Sequence, residues 1–220
     1  MFKNLITTLM CVAFAIGTST ELGARQSCSN IHLVHIAGST EEPGLGSVGK
    51  PLAQALANAI PGTTSYGLPY NTVPNIVPEF NQTVEEGAAM AATYLRDQAG
   101  RCPNQKFVLS GVSKGAIVMH SLSLDNDIKS KVLVIIVMGD PWRPVDGYGS
   151  TWPINSPSAN LSPRNGTSST ENVVSFCNTG DTICETGKAS QTCIPLAHLT
   201  YAGDGSPGIA ADFVRPKVQK

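Results

Sequence analysis

The chain places a lone serine between two glycines, Gly111-Val-Ser-Lys-Gly115, at a point where the sequence changes character. Before it runs an apolar, β-rich segment, Lys106-Phe-Val-Leu-Ser110. After it, Gly115-Ala-Ile-Val-Met-His-Ser-Leu122 reads as a buried helix. A glycine–x–serine–x–glycine on a strand-to-helix turn has the form of a nucleophile elbow. The glycines are needed because the turn is strained and neighbouring backbones come too close for Cβ atoms. Ser113 is thereby raised above the sheet, where its hydroxyl can meet a carbonyl carbon.

A serine hydroxyl attacks only if a base removes its proton, and histidine is suited to that near neutral pH. The chain has four histidines. His32 and His35 lie on the first predicted strand, and His120, two turns below Ser113 on the same helix, points away from it. His198 remains as the base. The acid that orients it should come from a loop after a later strand, which Asp181 satisfies; Asp140 is the second choice. Asp125, Asp127 and Asp146 read as solvated turn residues. The chain order Ser–Asp–His is that expected for an elbow serine. A developing oxyanion needs donors, each contributing about 3–4 kcal/mol. The backbone N–H of Lys114 is one, and Ser39, in the loop Gly38-Ser-Thr40 after the first strand, offers the other.

The elements that must carry these residues alternate. Strands are predicted at Ile31–Ile36, Thr64–Leu68, Lys106–Ser110, Lys131–Met138 and Asn172–Cys177. Helices are predicted from Pro51 to Ala59 and from a capping box at Thr83-Val-Glu-Glu86 to Gln98. Two more follow, one after the elbow and one from Pro207 to about Val214 with Ser206 as its cap. Gly44 to Gly49 reads as a glycine loop. The β-branched run Val132–Val137 suits a central strand covered on both faces. This alternation implies an α/β fold: a mostly parallel sheet of about five strands with helices on both sides. No internal repeat and no second core is visible. Residues 144–171, rich in Pro, Gly, Ser and Asn, are long for a connection and carry Trp152.

The 220 residues divide into an expected signal peptide, 1–24, and one domain, 25–220. Lys3 and the apolar Leu5–Gly17 precede small residues, with cleavage expected between Gly17 and Ala24. That run is too short to span a bilayer, so a secreted protein is expected. The formal charge of -1 is spread without a basic stripe, which argues against nucleic acid as a partner. Of six cysteines, Cys11 falls in the leader, leaving an odd number in Cys28, Cys102, Cys177, Cys184 and Cys193. A disulfide between Cys177 and Cys184 would hold the Asp181 loop. No paired C-x-x-C spacing supports zinc, and no cofactor or metal is expected. Sequons at Asn81, Asn160 and Asn165 are glycosylation candidates.

Taken together, these residues resemble the cutinase-like family of secreted serine esterases, which includes acetylxylan esterases. The resemblance runs from Cys28 and Gly38-Ser-Thr-Glu41 through Arg101-Cys-Pro103, the elbow and Met138-Gly-Asp-Pro141. It ends in Phe176-Cys-Asn-Thr-Gly-Asp-Thr-Ile-Cys184 and Ala197-His-Leu-Thr-Tyr201. It implies a three-layer α/β/α hydrolase without a lid, a Ser113–Asp181–His198 triad, and oxyanion donors at Ser39 and Lys114. It further implies disulfides Cys28–Cys102 and Cys177–Cys184, with Cys193 unpaired. The expected activity is ester hydrolysis by a monomer, on cutin-like polyesters or short acyl esters. Acetylated polysaccharide is the alternative substrate, and a binding or eliciting protein without turnover is the alternative of another class. Three features depart from the family pattern: Lys114 in place of glutamine, a longer acid-to-histidine loop containing Cys193, and the length of 144–171.

Overall fold

The computed structural model describes residues 28–143, 152–166, 169–187 and 193–218; the expected leader lies outside them. In chain order the elements are β1 (Ile31–Ile36), α1 (Gly46–Ala59), β2 (Thr64–Gly67), α2 (Phe80–Arg101), β3 (Lys106–Val112), α3 (Lys114–His120) and α4 (Asn126–Lys129). Then follow β4 (Val132–Met138), β5 (Ala159–Asn160), β6 (Val173–Phe176), α5 (Thr182–Thr186) and α6 (Ser206–Val218). All six strands run parallel in the order β2-β1-β3-β4-β6-β5.

The period-two alternation of the strands builds two cores. On β1, Leu33 faces one layer while Val34 and Ile36 face the other; on β4, Val134, Ile136 and Met138 divide likewise from Ile135 and Val137. One layer packs the sheet against α2 and α3 through Leu95, Ala91 and Met119. The other packs it against α1 and α6 through Leu52, Leu56 and Phe213. The expected three-layer arrangement is therefore present, with six strands rather than five.

Four local readings are corrected. The additional strand, β5, lies within residues 144–171 and pairs with the edge of β6. Helix α1 begins at Gly46, inside the expected glycine loop, and Gly49 serves there as a packing position on His35; a Cβ at Gly49 would come within 2.3 Å of the imidazole. Helix α2 begins at Phe80, so Thr83 lies within its first turn and forms no capping box. Its hydroxyl donates to the Phe80 carbonyl (2.8 Å), and Glu86 accepts from Gln82 instead. Helix α6 continues to Val218, beyond the expected end at Val214.

Both expected disulfides are present, Cys28–Cys102 and Cys177–Cys184, and Cys193 is free and exposed. Cys28–Cys102 joins the start of β1 to the end of α2 across 74 positions of sequence. Closing so long a loop restricts the unfolded chain by about 4 kcal/mol in the chain-entropy view. The double variant Cys28→Ser/Cys102→Ser is expected to lose about 2–4 kcal/mol in urea unfolding. A loss below about 1 kcal/mol would show that the cross-link contributes little.

Candidate active site

Ser113 sits between β3 and α3 with φ +52° and ψ −117°, a strained conformation for a residue with a side chain. The flanking glycines explain how the chain reaches it. A Cβ on Gly115 would lie 2.0 Å from the Ile36 carbonyl oxygen, and one on Gly111 would lie 2.4 Å from the Gly115 oxygen. Only glycine lets α3 start this close to β1 and turn this sharply from β3.

Asp181 caps α5, its carboxylate accepting from the Ile183 backbone N–H (3.2 Å). It is fully buried, and its Oδ2 receives the Tyr201 hydroxyl (2.6 Å) and His198 Nδ1 (2.8 Å). Burial alone would raise its pKa. The hydrogen bonds from His198 and Tyr201 outweigh that, and the carboxyl is held below its ordinary value. Burial and the Asp181 hydrogen bond push Tyr201 well above the usual tyrosine range, so its hydroxyl remains a donor. With Nδ1–H committed to Asp181, the His198 imidazole keeps its Nε2 lone pair. Gly139, at φ +60°, gives the ring its space: a Cβ there would stand 2.6 Å from His198 Cε1.

The histidine lies on a short 3₁₀ turn, Leu196–Leu199. Asn178 ties that turn to the acid loop: its side-chain amide reaches the Ala197 carbonyl (3.1 Å), Thr200 Oγ1 (2.9 Å) and Asp204 Oδ2 (2.7 Å). Its backbone N–H donates to the Tyr201 hydroxyl (3.1 Å). Asn178 and Tyr201 had no role assigned from sequence, although both stand in the blocks that carried the resemblance. The Cys177–Cys184 disulfide closes the loop around Asp181. Potential ligand atoms of Cys177, Asp181 and Cys184 cluster within 4.8 Å, but both sulfurs are consumed in the disulfide and only one carboxylate remains.

The other acid and histidines are engaged elsewhere. Asp140, the second choice, pairs with His120 (2.9 Å), not with His198, and also accepts the Trp142 N–H. Their pairing is buried against Trp142 and Trp152. His35 bonds Ser110, and His32 bonds Thr64 and Tyr94; burial pushes both imidazoles down to about 4, so they remain neutral at pH 7. Asp125 is exposed beside Arg96, Asp127 is exposed on α4, and Asp146 lies outside the described residues.

Ser113, His198, Ser39 and Lys114 all line one cavity of about 230 Å³. Apolar side chains make its walls, among them Val112, Ile117, Ile183, Ile194 and Leu199. The described residues of 144–171 line no part of it. That stretch is fastened to β6 and the α6 entrance instead, where Arg164 bonds Asn178, Asp204 and Ser206.

Lys114 differs most from expectation. It follows the nucleophile directly where the family pattern has glutamine, and the structure turns its side chain inward, 1% exposed. Its ammonium donates to the carbonyls of Asn71 (2.9 Å) and Val73 (3.0 Å) and to Thr83 Oγ1 (2.7 Å). Burial pushes its pKa down to about 8. Of the sequons, Asn81 and Asn165 are exposed, whereas the Asn160 amide bonds the Gly166 carbonyl at the sheet edge.

Comparison with known proteins supplies a family. The family model described as Cutinase matches residues 27–218. A cutinase of Monilinia fructicola is 30% identical over 219 residues, covering 97% of this chain and 95% of its own. A cutinase of Hypocrea jecorina is 31% identical, covering 87% of this chain and 68% of its own. Among solved structures, a Trichoderma reesei cutinase in complex with a phosphonate inhibitor superposes with a TM-score of 0.66. It is 26% identical, and the match covers 87% of this chain and 77% of that one. The catalytic core of a Trichoderma reesei acetyl xylan esterase shares the fold, with a TM-score of 0.62 at 21% identity, covering 88% and 98%.

The Asp181 network has a pH signature. Because its folded pKa is depressed, its stabilising contribution is present above about pH 4, the unfolded carboxyl's range, and is lost as pH falls through the folded value. Tyr201→Phe removes one donor to that charge. It is expected to cost about 1–2 kcal/mol at pH 7, with the deficit narrowing below about pH 4. Chemical unfolding at pH 7 and pH 3 checks this; an equal deficit at both would show that the hydroxyl does not act through the Asp181 charge.

Proposed function

The chain belongs to the cutinase family of serine ester hydrolases, and on that premise we propose that Ser113, His198 and Asp181 form its catalytic triad. His198 Nε2 takes the Ser113 proton as Oγ attacks the ester carbonyl. The tetrahedral oxyanion is met by the backbone N–H of Lys114 and by Ser39. His198 then returns the proton to the departing alkoxide, leaving an acyl-serine. Water, deprotonated by the same imidazole, releases the acid and restores Ser113. The observation that carries this reading is the His198–Asp181 hydrogen bond at 2.8 Å, with His198 opening onto the same cavity as Ser113.

The substrate we propose is a cutin-like polyester or a short acyl ester. Apolar cavity walls suit an acyl chain better than a sugar ring. Leu196 and Leu199, 78% and 62% exposed beside His198, extend that apolar character to the rim and suit contact with a polymer surface. The Lys114 ammonium is engaged by Asn71, Val73 and Thr83, so this departure from the family pattern does not by itself favour a reading without turnover.

The same reading takes the protein as secreted. It rests on the leader-like residues 1–24, the two disulfides and the sequons at Asn81 and Asn165. No helix among the described residues is long and apolar enough to cross a membrane.

The purified protein is expected to cleave p-nitrophenyl butyrate, and Ser113→Ala to reduce kcat by at least about 10⁴-fold. Equal rates for the two would refute the nucleophile assignment. A panel of polyester, tributyrin and acetylated xylan distinguishes the substrate classes. Release of acetate from xylan with inert polyester and tributyrin would replace the proposed substrate with the polysaccharide one.

A further inference from the structure

The side chain of Lys114 has a geometry suited to more than filling space. An ammonium carries three N–H donors, and here each has an acceptor: Asn71 O, Val73 O and Thr83 Oγ1. The rings of Phe80 and Tyr70 lie 4.9 Å and 5.4 Å from the nitrogen. A cation buried in this way is costly unless its donors are satisfied, and this one is satisfied by a single short segment plus one helix residue.

That segment, 70–73, also grips the loop that bears Ser39. The Tyr70 hydroxyl donates to the Ala37 carbonyl (2.6 Å), the Thr40 N–H donates to the Thr72 carbonyl (2.7 Å), and Thr72 Oγ1 donates to the Glu41 carbonyl (2.7 Å). From the opposite side the Glu41 carboxylate accepts the backbone N–H groups of Gly38 (2.6 Å) and Ser47 (2.8 Å). Thr40 is held at φ +64°, so the loop is not in a relaxed conformation. A continuous set of bonds therefore runs from the Lys114 ammonium through 71–73 to residues 37–41, and returns through the α3 backbone to the Lys114 N–H.

We propose that Lys114 is a positioning residue whose ammonium, acting through residues 70–73, sets the separation between its own backbone N–H and Ser39. The proposal rests on the reading of those two groups as oxyanion donors. Such donors act by being fixed before charge develops, so a loosened loop weakens transition-state binding more than substrate binding. Lys114→Met keeps the length and apolar stem but supplies no donor. Lys114→Gln supplies two N–H groups on a shorter stem.

Steady-state hydrolysis of p-nitrophenyl butyrate by the full chain tests this, at a temperature well below each variant's melting point. Lys114→Met is expected to lower kcat about 10–100-fold while KM changes less than about threefold, with Lys114→Gln recovering part of the loss. Thr72→Val breaks the link to Glu41 and is expected to lower kcat in the same sense. Combined with Lys114→Met it should add little, since both act along one path. If Lys114→Met does not fold, Thr72→Val alone carries the test through its kcat-against-KM split. An unchanged kcat in the folded variants, or fully additive losses, overturns the positioning role while leaving the esterase reading intact. Absence of Ser113-dependent hydrolysis in the wild type would instead overturn the underlying assignment.

Discussion

The rest of the site depends on how closely α3 approaches the first strand. Gly115 lies where a single added carbon would meet the Ile36 carbonyl at 2.0 Å. That contact fixes the start of α3, hence the Lys114 N–H, against the end of β1 from which residues 37–41 depart. Gly111 makes the matching close approach from β3. Ser113 is raised by neighbours that leave its backbone no other course, which is how a strained φ of +52° persists.

Around this rigid turn the remaining groups are held by polar bonds in places the hydrophobic cores do not reach. Asp181 is a fully buried carboxylate, tolerated because three donors converge on it. His198 sits on a short turn with little apolar anchoring of its own. Asn178, Tyr201 and the Cys177–Cys184 bridge provide the rigidity that packing would supply elsewhere. The parallel sheet brings all of this to one end, because β1, β3, β4 and β6 each finish in a loop that bounds the site.

Much of this was legible in the sequence because it is written locally. The elbow is a five-residue pattern with a strand and a helix on either side, and the strands that build the two cores alternate or run apolar as burial requires. Asp181 and His198 follow from chain order and from the shortage of other histidines. What was not legible depends on contacts distant in sequence. Thr83 has the spacing of a helix cap, yet α2 starts three residues earlier and its hydroxyl meets Lys114, 31 positions away. Gly46 to Gly49 reads as a loop until His35 is seen to need the space beside Gly49. β5 is two residues long, too short for any pattern, and exists only because β6 offers an edge. The inward course of Lys114 is not legible because nothing near it in sequence indicates three acceptors from Asn71, Val73 and Thr83.

The Cys28–Cys102 bond encloses β1, the Ser39 loop, α1, β2 and the whole of α2 in one covalent ring, while Ser113, Asp181 and His198 lie beyond it. A single peptide-bond cut between residues 28 and 102 therefore does not divide the molecule. Both ends remain tethered to the part of the chain that bears the serine, and the sheet can re-form from pieces that cannot diffuse apart. A cut after Cys102 has no such protection, except within the small ring closed by Cys177 and Cys184. Tolerance to proteolysis is thus distributed unevenly along this chain, and its two covalently guarded stretches hold Ser39 and the acid of the proposed triad.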